Sequence, residues 1–154
     1  MKMRNVYYTL VHIAYDLFLK LNPRKLGAHA VIADQQGRVL VVRSRFADAW
    51  QLPGGGLNAR EHVDEGVRRE CQEELGVPVE IEGFTGMYYH EPSSAYVAVF
   101  RCRLVGGPLR LSHEHVEYRW LAPGELDERI RPMAEDALRF AGTTAVRRIP
   151  AKGR

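Results

Sequence analysis

The stretch that decides the fold is Gly55–Val77, GGLNAREHVDEGVRRECQEELGV, which directly follows Gly54. It opens on glycines and then brings Glu70, Glu73 and Glu74 close together. Residues at positions i, i+3 and i+4 share one face of an α-helix, so a helix over this segment puts the three carboxylates side by side. Like charges at this spacing repel each other by a few tenths of a kcal/mol per exposed pair. The segment therefore needs a partner that compensates the carboxylates.

Two explanations of the glutamates are open at this point. The first is an acidic, solvated helix face, relieved by the neighbouring Arg68 and Arg69. The second is a hard divalent cation held among the carboxylates. Mg²⁺ takes oxygen ligands, keeps several of its waters and is often shared with substrate phosphates.

The glycine loop in front of the helix favours the cation. LPGGG, residues 52–56, carries little side-chain bulk, and glycine lets backbone amides and carbonyls approach a ligand closely. The N-terminus of a helix also favours phosphate. The pattern predicts a strand, a glycine loop, a helix over residues 63–75 and a stop at Gly76. This arrangement is typical of a metal–phosphate site.

The same residues resemble the signature of a known family. Gly55, Glu61, Arg69–Glu70–Cys71, Glu73–Glu74 and Gly76–Val77 match the Nudix box, G-x5-E-x7-R-E-U-x-E-E-x-G-U with U apolar. The match holds at all nine fixed positions over 23 residues. The flanking segments VLVVRSR, WQLPGG and VEYRWLAPGEL are similar to the family as well, so the resemblance covers roughly residues 27–142.

The resemblance implies a fold and an activity. The fold class is α/β (α+β): a Nudix fold, with a mixed β-sheet sandwiched between helices. The activity is Mg²⁺- or Mn²⁺-dependent hydrolysis of a nucleoside diphosphate linked to another moiety. The resemblance implies that Glu70, Glu73 and Glu74 are metal ligands or, for one of them, the base. A carbonyl of Gly54 or Gly55 is implied as a further ligand. Glu61 and Arg69 are implied to pair as structural support.

Further site candidates lie outside the box. In the family a later loop often supplies one more carboxylate, and here Glu114 is the first choice and Glu117 the second. Arg43 and Arg45 face either a substrate phosphate or solvent. Tyr89 either stacks on a base or packs as an ordinary strand aromatic.

His113 and His115 flank Glu114 in an alternating His–Glu–His pattern. Such a pattern at a strand start is more typical of a polar edge than of an acid–base pair. We therefore assign neither histidine a role from the sequence.

The substrate class rests on weaker signals. A proline such as Pro92, fifteen residues beyond the box, is associated in this family with ADP-ribose-type substrates. The sequence thus favours ADP-ribose or a nucleotide sugar, with a nucleoside triphosphate next. The alternative is a Nudix-fold module that binds a nucleotide without turnover, but such modules usually carry damaged boxes. A partner of small-molecule size is expected in either case.

Charge and cysteine content indicate which partners and which cellular compartment are expected. The formal net charge is +3, but the last twelve residues hold four basic residues and no acid. Removing these four from 22 leaves 18 basic against 19 acidic residues, so the body is near neutral and nucleic acid is not a favoured partner. Cys71 and Cys102 lack metal-ligand spacing and are expected to be reduced, buried thiols of a cytoplasmic protein.

The chain divides into three parts. Residues 1–24 are predicted to hold an amphipathic helix over residues 4–21, packed on the domain or on a second subunit of a homodimer. No membrane span is expected there, because Asp16 and Lys20 interrupt the apolar run. Residues 25–142 form the Nudix domain, and residues 143–154 are expected to be a disordered, basic tail.

Overall fold

The computed structural model of this protein describes residues 25–46, 49–142 and 145–149. The predicted N-terminal helix, residues 4–21, lies outside the described residues. The strands are β1 Lys25–Ile32, β2 Val39–Ser44, β3 Trp50–Gln51, β4 Gly54–Gly56, β5 Val79–His90, β6 Ala95–Leu104, β7 His115–Leu121 and β8 Ala145–Ile149. The helices are α1 Val63–Leu75 and α2 Arg131–Leu138, with 3₁₀ turns at Glu91–Ser93 and Pro123–Glu125.

The strands form two sheets. The larger has the order β4-β1-β6-β5-β8, and the smaller has the order β3-β2-β7. β1 is parallel to β6 and antiparallel to β4, so the larger sheet is mixed, as the Nudix fold implies. No helix among the described residues has both the length and the apolar character that crossing a membrane requires.

The sequence predicts that β1 and β2 pair as a hairpin, and this is wrong. They meet only at one bridge, Ala33–Val39, beyond which they enter different sheets. The turn between them is held by Asp34, whose Oδ1 accepts the backbone N–H groups of Gln36 and Arg38 at 2.9 Å. The separation is possible because both strands are apolar on both faces, so each can be covered on two sides rather than left as a half-exposed hairpin.

Two hydrophobic cores lie on opposite faces of the sheets. Alternate residues of one strand point to different cores, as the period of a strand requires. The first core is covered by α1 and includes Ala30, Leu40, Val67, Cys71, Leu75 and Ala98. The second is covered by α2 and includes Val31, Val41, Leu52, Tyr88, Val97, Met133 and Ala137. The sheets are therefore sandwiched between helices, and both cysteines are free, buried thiols.

The C-terminal part of the chain departs from the sequence analysis in two places. Residues 145–149 of the expected disordered tail form β8, which pairs in parallel with Gly86–His90 of β5. The β-branched residues Val146 and Ile149 favour a strand, and the open edge of β5 offers unpaired backbone groups to it. The segment PGELDERI, residues 123–130, opens on a proline as many helices do, and from the sequence it is predicted as helical; its helical structure is only the 3₁₀ turn Pro123–Glu125.

α1 occupies the predicted residues. It begins at Val63, after His62, whose backbone N–H donates to the Glu65 carboxylate at 3.0 Å. It ends at Gly76, which has a φ of 69° and donates its N–H to the Gln72 carbonyl. Positive φ costs glycine little, and this is why the helix stops where the sequence indicates.

The packing of α1 on the first core can be tested at Leu75, whose side chain is fully buried. We expect Leu75→Ala to lower the free energy of unfolding by about 2–5 kcal/mol, because the surrounding core cannot fully collapse into the space. Val105→Ala is the control, since Val105 is 41% exposed and should change stability by no more than about 0.5 kcal/mol. Chemical denaturation measures both, and equal losses would contradict this packing.

Candidate active site

The centre of the site is a hydrogen bond between the glycine loop and α1. The backbone N–H of Gly54 donates to Oε2 of Glu74 at 2.8 Å. Glu74 is 8% exposed, so its carboxylate lies between the loop and the helix rather than in solvent. The helix face that carries the box glutamates is thereby turned toward the loop.

Two glycines let the loop come this close. Gly54 has a φ of 135°, and a Cβ there would lie 2.2 Å from the Ala28 carbonyl oxygen. A Cβ on Gly55 would lie 2.8 Å from the Glu70 carboxylate. Gly54 is therefore required by β1 behind the loop, and Gly55 by the glutamate in front of it.

Arg69 connects the loop to the carboxylates. Its Nε and Nη2 donate to the two oxygens of Glu61 at 2.6 and 3.0 Å, and Nη2 also donates to the Gly56 carbonyl at 3.0 Å. Its Nη1 donates to Glu70 Oε1 at 2.9 Å and to Glu73 Oε2 at 3.1 Å. One guanidinium thus holds three carboxylates and the end of the glycine loop.

The environment separates the pKa values of these carboxylates. Burial is the main cause that raises the pKa of Glu74 to about 8, with the nearby Glu70, Glu114 and Glu73 adding to it. Burial also raises the pKa of Glu70, against the effect of Arg69. Glu61 is different, because the Arg69 side chain and the Asn58 N–H lower its pKa to about 2. Glu70 and Glu74 are therefore the carboxylates whose loss of water is least compensated by a nearby positive charge.

The donor set fits part of a coordination shell for a hard divalent cation. Among the described residues, no three Asp, Glu, His or Cys side chains have the spacing to enclose a metal ion by themselves. Mg²⁺ does not need such a cage, because it usually takes one or two carboxylates and completes its shell with waters and substrate phosphates. Glu70 and Glu74, both poorly solvated beside a loop without side chains, suit that use.

A second segment approaches α1 from its C-terminal end. The N–H groups of Arg110 and Ser112 donate to the carbonyls of Leu75 and Glu74 at 2.7 and 3.1 Å. These bonds satisfy carbonyls that the end of the helix leaves free. The same segment then brings Glu114 and His115 to the site. Glu114 is exposed, and its charge contributes to the raised pKa of Glu74.

The predicted substrate residues are placed differently from one another. The Arg45 backbone N–H donates to the Glu114 carbonyl at 2.7 Å, and its Nε donates to the His113 carbonyl at 2.9 Å. Arg43 lies 3.2 Å from the carboxylate of Glu117. Arg45 therefore anchors the segment that carries Glu114, and Arg43 lies away from the box glutamates.

The Tyr89 ring packs against Tyr96, with 5.1 Å between the ring centroids. The residues that line the nearby cavity do not include Tyr89, but they do include the next residue, His90. The stacking of Tyr89 on a base stays a prediction.

A cavity lies on the other side of the glycine loop. It has a volume of about 240 Å³, and its lining includes His29, Trp50, Leu52, His90, Arg129 and Met133. His29 Nδ1 is 3.1 Å from the Leu52 carbonyl, and two residues later Gly54 reaches Glu74. The segment Leu52–Gly54 is therefore a shared wall between the cavity and the carboxylates.

The walls of the cavity combine an aromatic ring with basic groups. Arg129 is held by Asp127, which accepts from Nε at 2.7 Å and from Nη2 at 2.9 Å. The guanidinium carbons of Arg119 and Arg43 lie 4.9 and 5.9 Å from the Trp50 ring centroid. Burial lowers the pKa values of His29 and His90, so neutral imidazoles are favoured there.

Sequence reasoning missed these cavity residues and also His115. The cavity residues come from four separate parts of the chain, around residues 29, 49–52, 90–97 and 129–133, so no local spacing joins them. Trp50 offered the best signal, because it directly precedes the glycine loop.

The loop geometry can be tested with two neighbouring glycines. Gly54→Ala should lower the free energy of unfolding by at least about 1–3 kcal/mol, because its φ is positive and its Cβ would meet backbone atoms. Gly56→Ala is the matched control, since a Cβ there meets nothing within 4 Å and should cost no more than about 0.5 kcal/mol. Thermal and chemical unfolding give the comparison, and similar effects at both positions would refute the close approach.

Comparison with known proteins agrees with this geometry. The family model for the NUDIX domain matches residues 23–141. A "MutT-like protein" of Streptomyces ambofaciens is 39% identical over 100 residues, which are 65% of this chain and 65% of the relative. A "Putative 8-oxo-dGTP diphosphatase" of Bacillus subtilis is 26% identical over 101 residues, 65% of this chain and 68% of the relative. These matches span only about two thirds of the curated relatives' own lengths.

The fold also matches a solved structure. An ADP-ribose pyrophosphatase from Streptococcus suis aligns with a TM-score of 0.68 and 22% identity, over 80% of this chain and 98% of that one. At this identity the likeness speaks for the fold. Together with the intact box and its glycine loop, the family match shows that the chain belongs to the Nudix hydrolase family.

Proposed function

We propose that this protein hydrolyses a phosphoanhydride bond in a nucleoside diphosphate linked to another moiety, with a divalent metal ion. The observation that carries the proposal is the pair of poorly solvated carboxylates, Glu70 and Glu74, packed against a loop without side chains. Carboxylates kept from water in this way gain most from a cation that is itself shared with phosphate oxygens. An acidic surface face would instead be solvated.

The roles follow from the positions of the box residues. Glu70, Glu73 and Glu74 supply ligands for Mg²⁺ or Mn²⁺, with a carbonyl of Gly54 or Gly55. When bound, the ion neutralises charge on the diphosphate and lowers the pKa of a water. Glu61 and Arg69 hold the loop at the right distance from the helix.

The chain's own groups move the proton and orient the reaction. A water oxygen attacks phosphorus in line, the phosphorus–oxygen bond of the anhydride breaks, and the leaving phosphate oxygen takes the electron pair. The water's proton passes to a carboxylate. Glu74 is the candidate base, because the Gly54 N–H holds its carboxylate beside the glycine loop, at the centre of the site. Glu114 is the second candidate, as an exposed carboxylate whose charge acts on Glu74.

The nucleoside half of the substrate is assigned to the cavity. Trp50 offers a ring face for stacking, and Arg129 offers donors in an orientation held by Asp127. Stacking on an aromatic ring is tolerant of base identity, whereas a fixed guanidinium recognises acceptor atoms. Leu52 lines the cavity and Gly54, two residues later, binds Glu74, so both halves of the site adjoin the same short segment.

Two substrate classes compete. ADP-ribose or a nucleotide sugar is favoured by Pro92, which lies in the 3₁₀ turn whose neighbours His90 and Ser93 line the cavity. The structural likeness to an ADP-ribose pyrophosphatase is consistent with this choice. A nucleoside triphosphate is favoured by the sequence relative described as an 8-oxo-dGTP diphosphatase. Of the two, the first is our proposal.

Glutamate substitutions test the chemistry. Across a panel of ADP-ribose, nucleotide sugars, dinucleoside polyphosphates and (deoxy)nucleoside triphosphates, we expect metal-dependent turnover of a diphosphate-linked nucleoside. Glu74→Gln should lower kcat by about 10²–10⁴-fold, because the amide can neither ligate as strongly nor accept the proton. Product analysis with Mg²⁺ and Mn²⁺ measures both.

The control for this test is Glu80→Gln, an exposed β5 glutamate paired with Arg103, which should keep full activity. Full activity of Glu74→Gln would refute its assignment. Nucleotide binding without turnover in either metal would favour a binding module instead.

A cavity substitution tests substrate recognition separately. Arg129→Gln should raise KM about tenfold with little change in kcat, because it removes binding energy shared by ground state and transition state. Arg139→Gln is the matched control, since Arg139 pairs with Glu135 on the α2 side, with 71% of its side chain exposed. Steady-state kinetics on the best substrate measure both, and unchanged KM in Arg129→Gln would exclude the cavity as the nucleoside site.

A further inference from the structure

His115 occupies an unusual place for a polar residue. Among the described residues only three polar or charged residues count as buried: Glu74, Thr85 and His115. Two of these three are neighbours, with His115 Nε2 at 3.4 Å from Glu74 Oε1. A buried polar group is costly unless it has a partner, so each of the two depends on the other.

A break in strand pairing turns His115 toward Glu74. Arg43 pairs with Glu117, but the next residue, Ser44, pairs with His115, so Val116 is an extra residue in β7. In a regular strand His115 and Glu117 would share a face, since strand residues two apart do so. Glu117 contacts Arg43 beside Trp50, on the side of the second core, whereas His115 faces α1. Bulges near active sites commonly redirect a side chain in this way.

The backbone around His115 is fixed from several directions. Ser112 donates its N–H to the Glu74 carbonyl, and His115 donates its own N–H to the Ser112 carbonyl at 3.2 Å. On the other side, the N–H of Arg45 holds the Glu114 carbonyl. The backbone at His115 therefore cannot move away from Glu74 without breaking contacts to α1 and to Arg45 at the end of β2.

The two ring nitrogens have different neighbours. Nδ1 lies 3.4 Å from the Ser112 hydroxyl, and Nε2 faces the Glu74 carboxylate. A ring protonated on Nε2 satisfies both, because Nδ1 can then accept from the hydroxyl and Nε2 can donate to the carboxylate. The contacts exceed a standard hydrogen bond of about 2.9 Å.

We propose that His115 is a positioning residue for Glu74. The Gly54 N–H donates to Oε2 of the carboxylate, and the imidazole Nε2 lies 3.4 Å from Oε1, so the carboxylate lies between the glycine loop and β7. In this role the imidazole restricts the orientation of the carboxylate plane. The inference rests on the proposed function of Glu74, and adds the group that orients it. Outer partners of ligating side chains typically contribute 10–100-fold in metal affinity or activity.

Three variants separate this role from simple core packing. His115→Phe keeps much of the volume and removes the donor. His115→Gln carries an amide N–H₂ that reaches the position of Nε2, while His115→Asn is too short to do so. His113→Phe is the matched control, because His113 is an exposed histidine two residues away.

The readouts are kcat and KM on the best substrate, Mn²⁺ affinity by titration calorimetry without substrate, and thermal unfolding. We expect His115→Phe to lower kcat and weaken Mn²⁺ binding by about 10–100-fold with KM little changed. His115→Gln should recover most of both losses, and His113→Phe should behave as the wild type. If the phenylalanine variant fails to fold, the comparison of kcat and Mn²⁺ affinity between His115→Gln and His115→Asn decides.

The inference is wrong if His115→Phe leaves kcat and Mn²⁺ affinity unchanged, or if Gln recovers no more than Asn. It is also wrong if His113→Phe has the same effect. Failure of the proposed function looks different, because then the wild type would show no metal-dependent turnover, or Glu74→Gln would retain full activity. A dead Glu74→Gln beside a normal His115→Phe would refute only the positioning role.

Discussion

The hydrogen bond from the Gly54 N–H to the Glu74 carboxylate is the constraint on which the site depends. It ties the glycine loop to α1 and keeps the carboxylate out of solvent. The cost appears in the raised pKa of Glu74, which burial causes. A buried charge without a full counter-charge is unstable in a protein interior. A cation beside Glu74 supplies the counter-charge that this carboxylate lacks.

The same loop also divides the molecule. On one side lie the carboxylates and α1, and on the other lie the cavity and the second core. Because β1 and β2 are buried on both faces, their residues contribute to the cores on both sides of the loop. Arg129 with its partner Asp127 is thereby separated from Arg69 and its partners.

The segment from Arg110 to His115 completes the site from a distant part of the chain. It satisfies free carbonyls at the end of α1, and its Leu111 packs against the first core. Arg45, for which the sequence left a substrate phosphate and solvent open, holds this segment to the end of β2, and its contact with phosphate stays a prediction. The extra residue Val116 then decides which side chain of β7 reaches the helix.

The sequence by itself determined the family, the helix over residues 63–75, its stop at Gly76 and the cluster of box glutamates. These follow from local rules, because helical period, glycine conformation and the box spacing all act within 23 residues. Only the tertiary structure decided that β1 and β2 enter different sheets, that residues 145–149 form a strand, and that His115 faces Glu74. Each of these depends on partners far along the chain, and strand alternation read from sequence puts His115 on the wrong face once Val116 breaks the register.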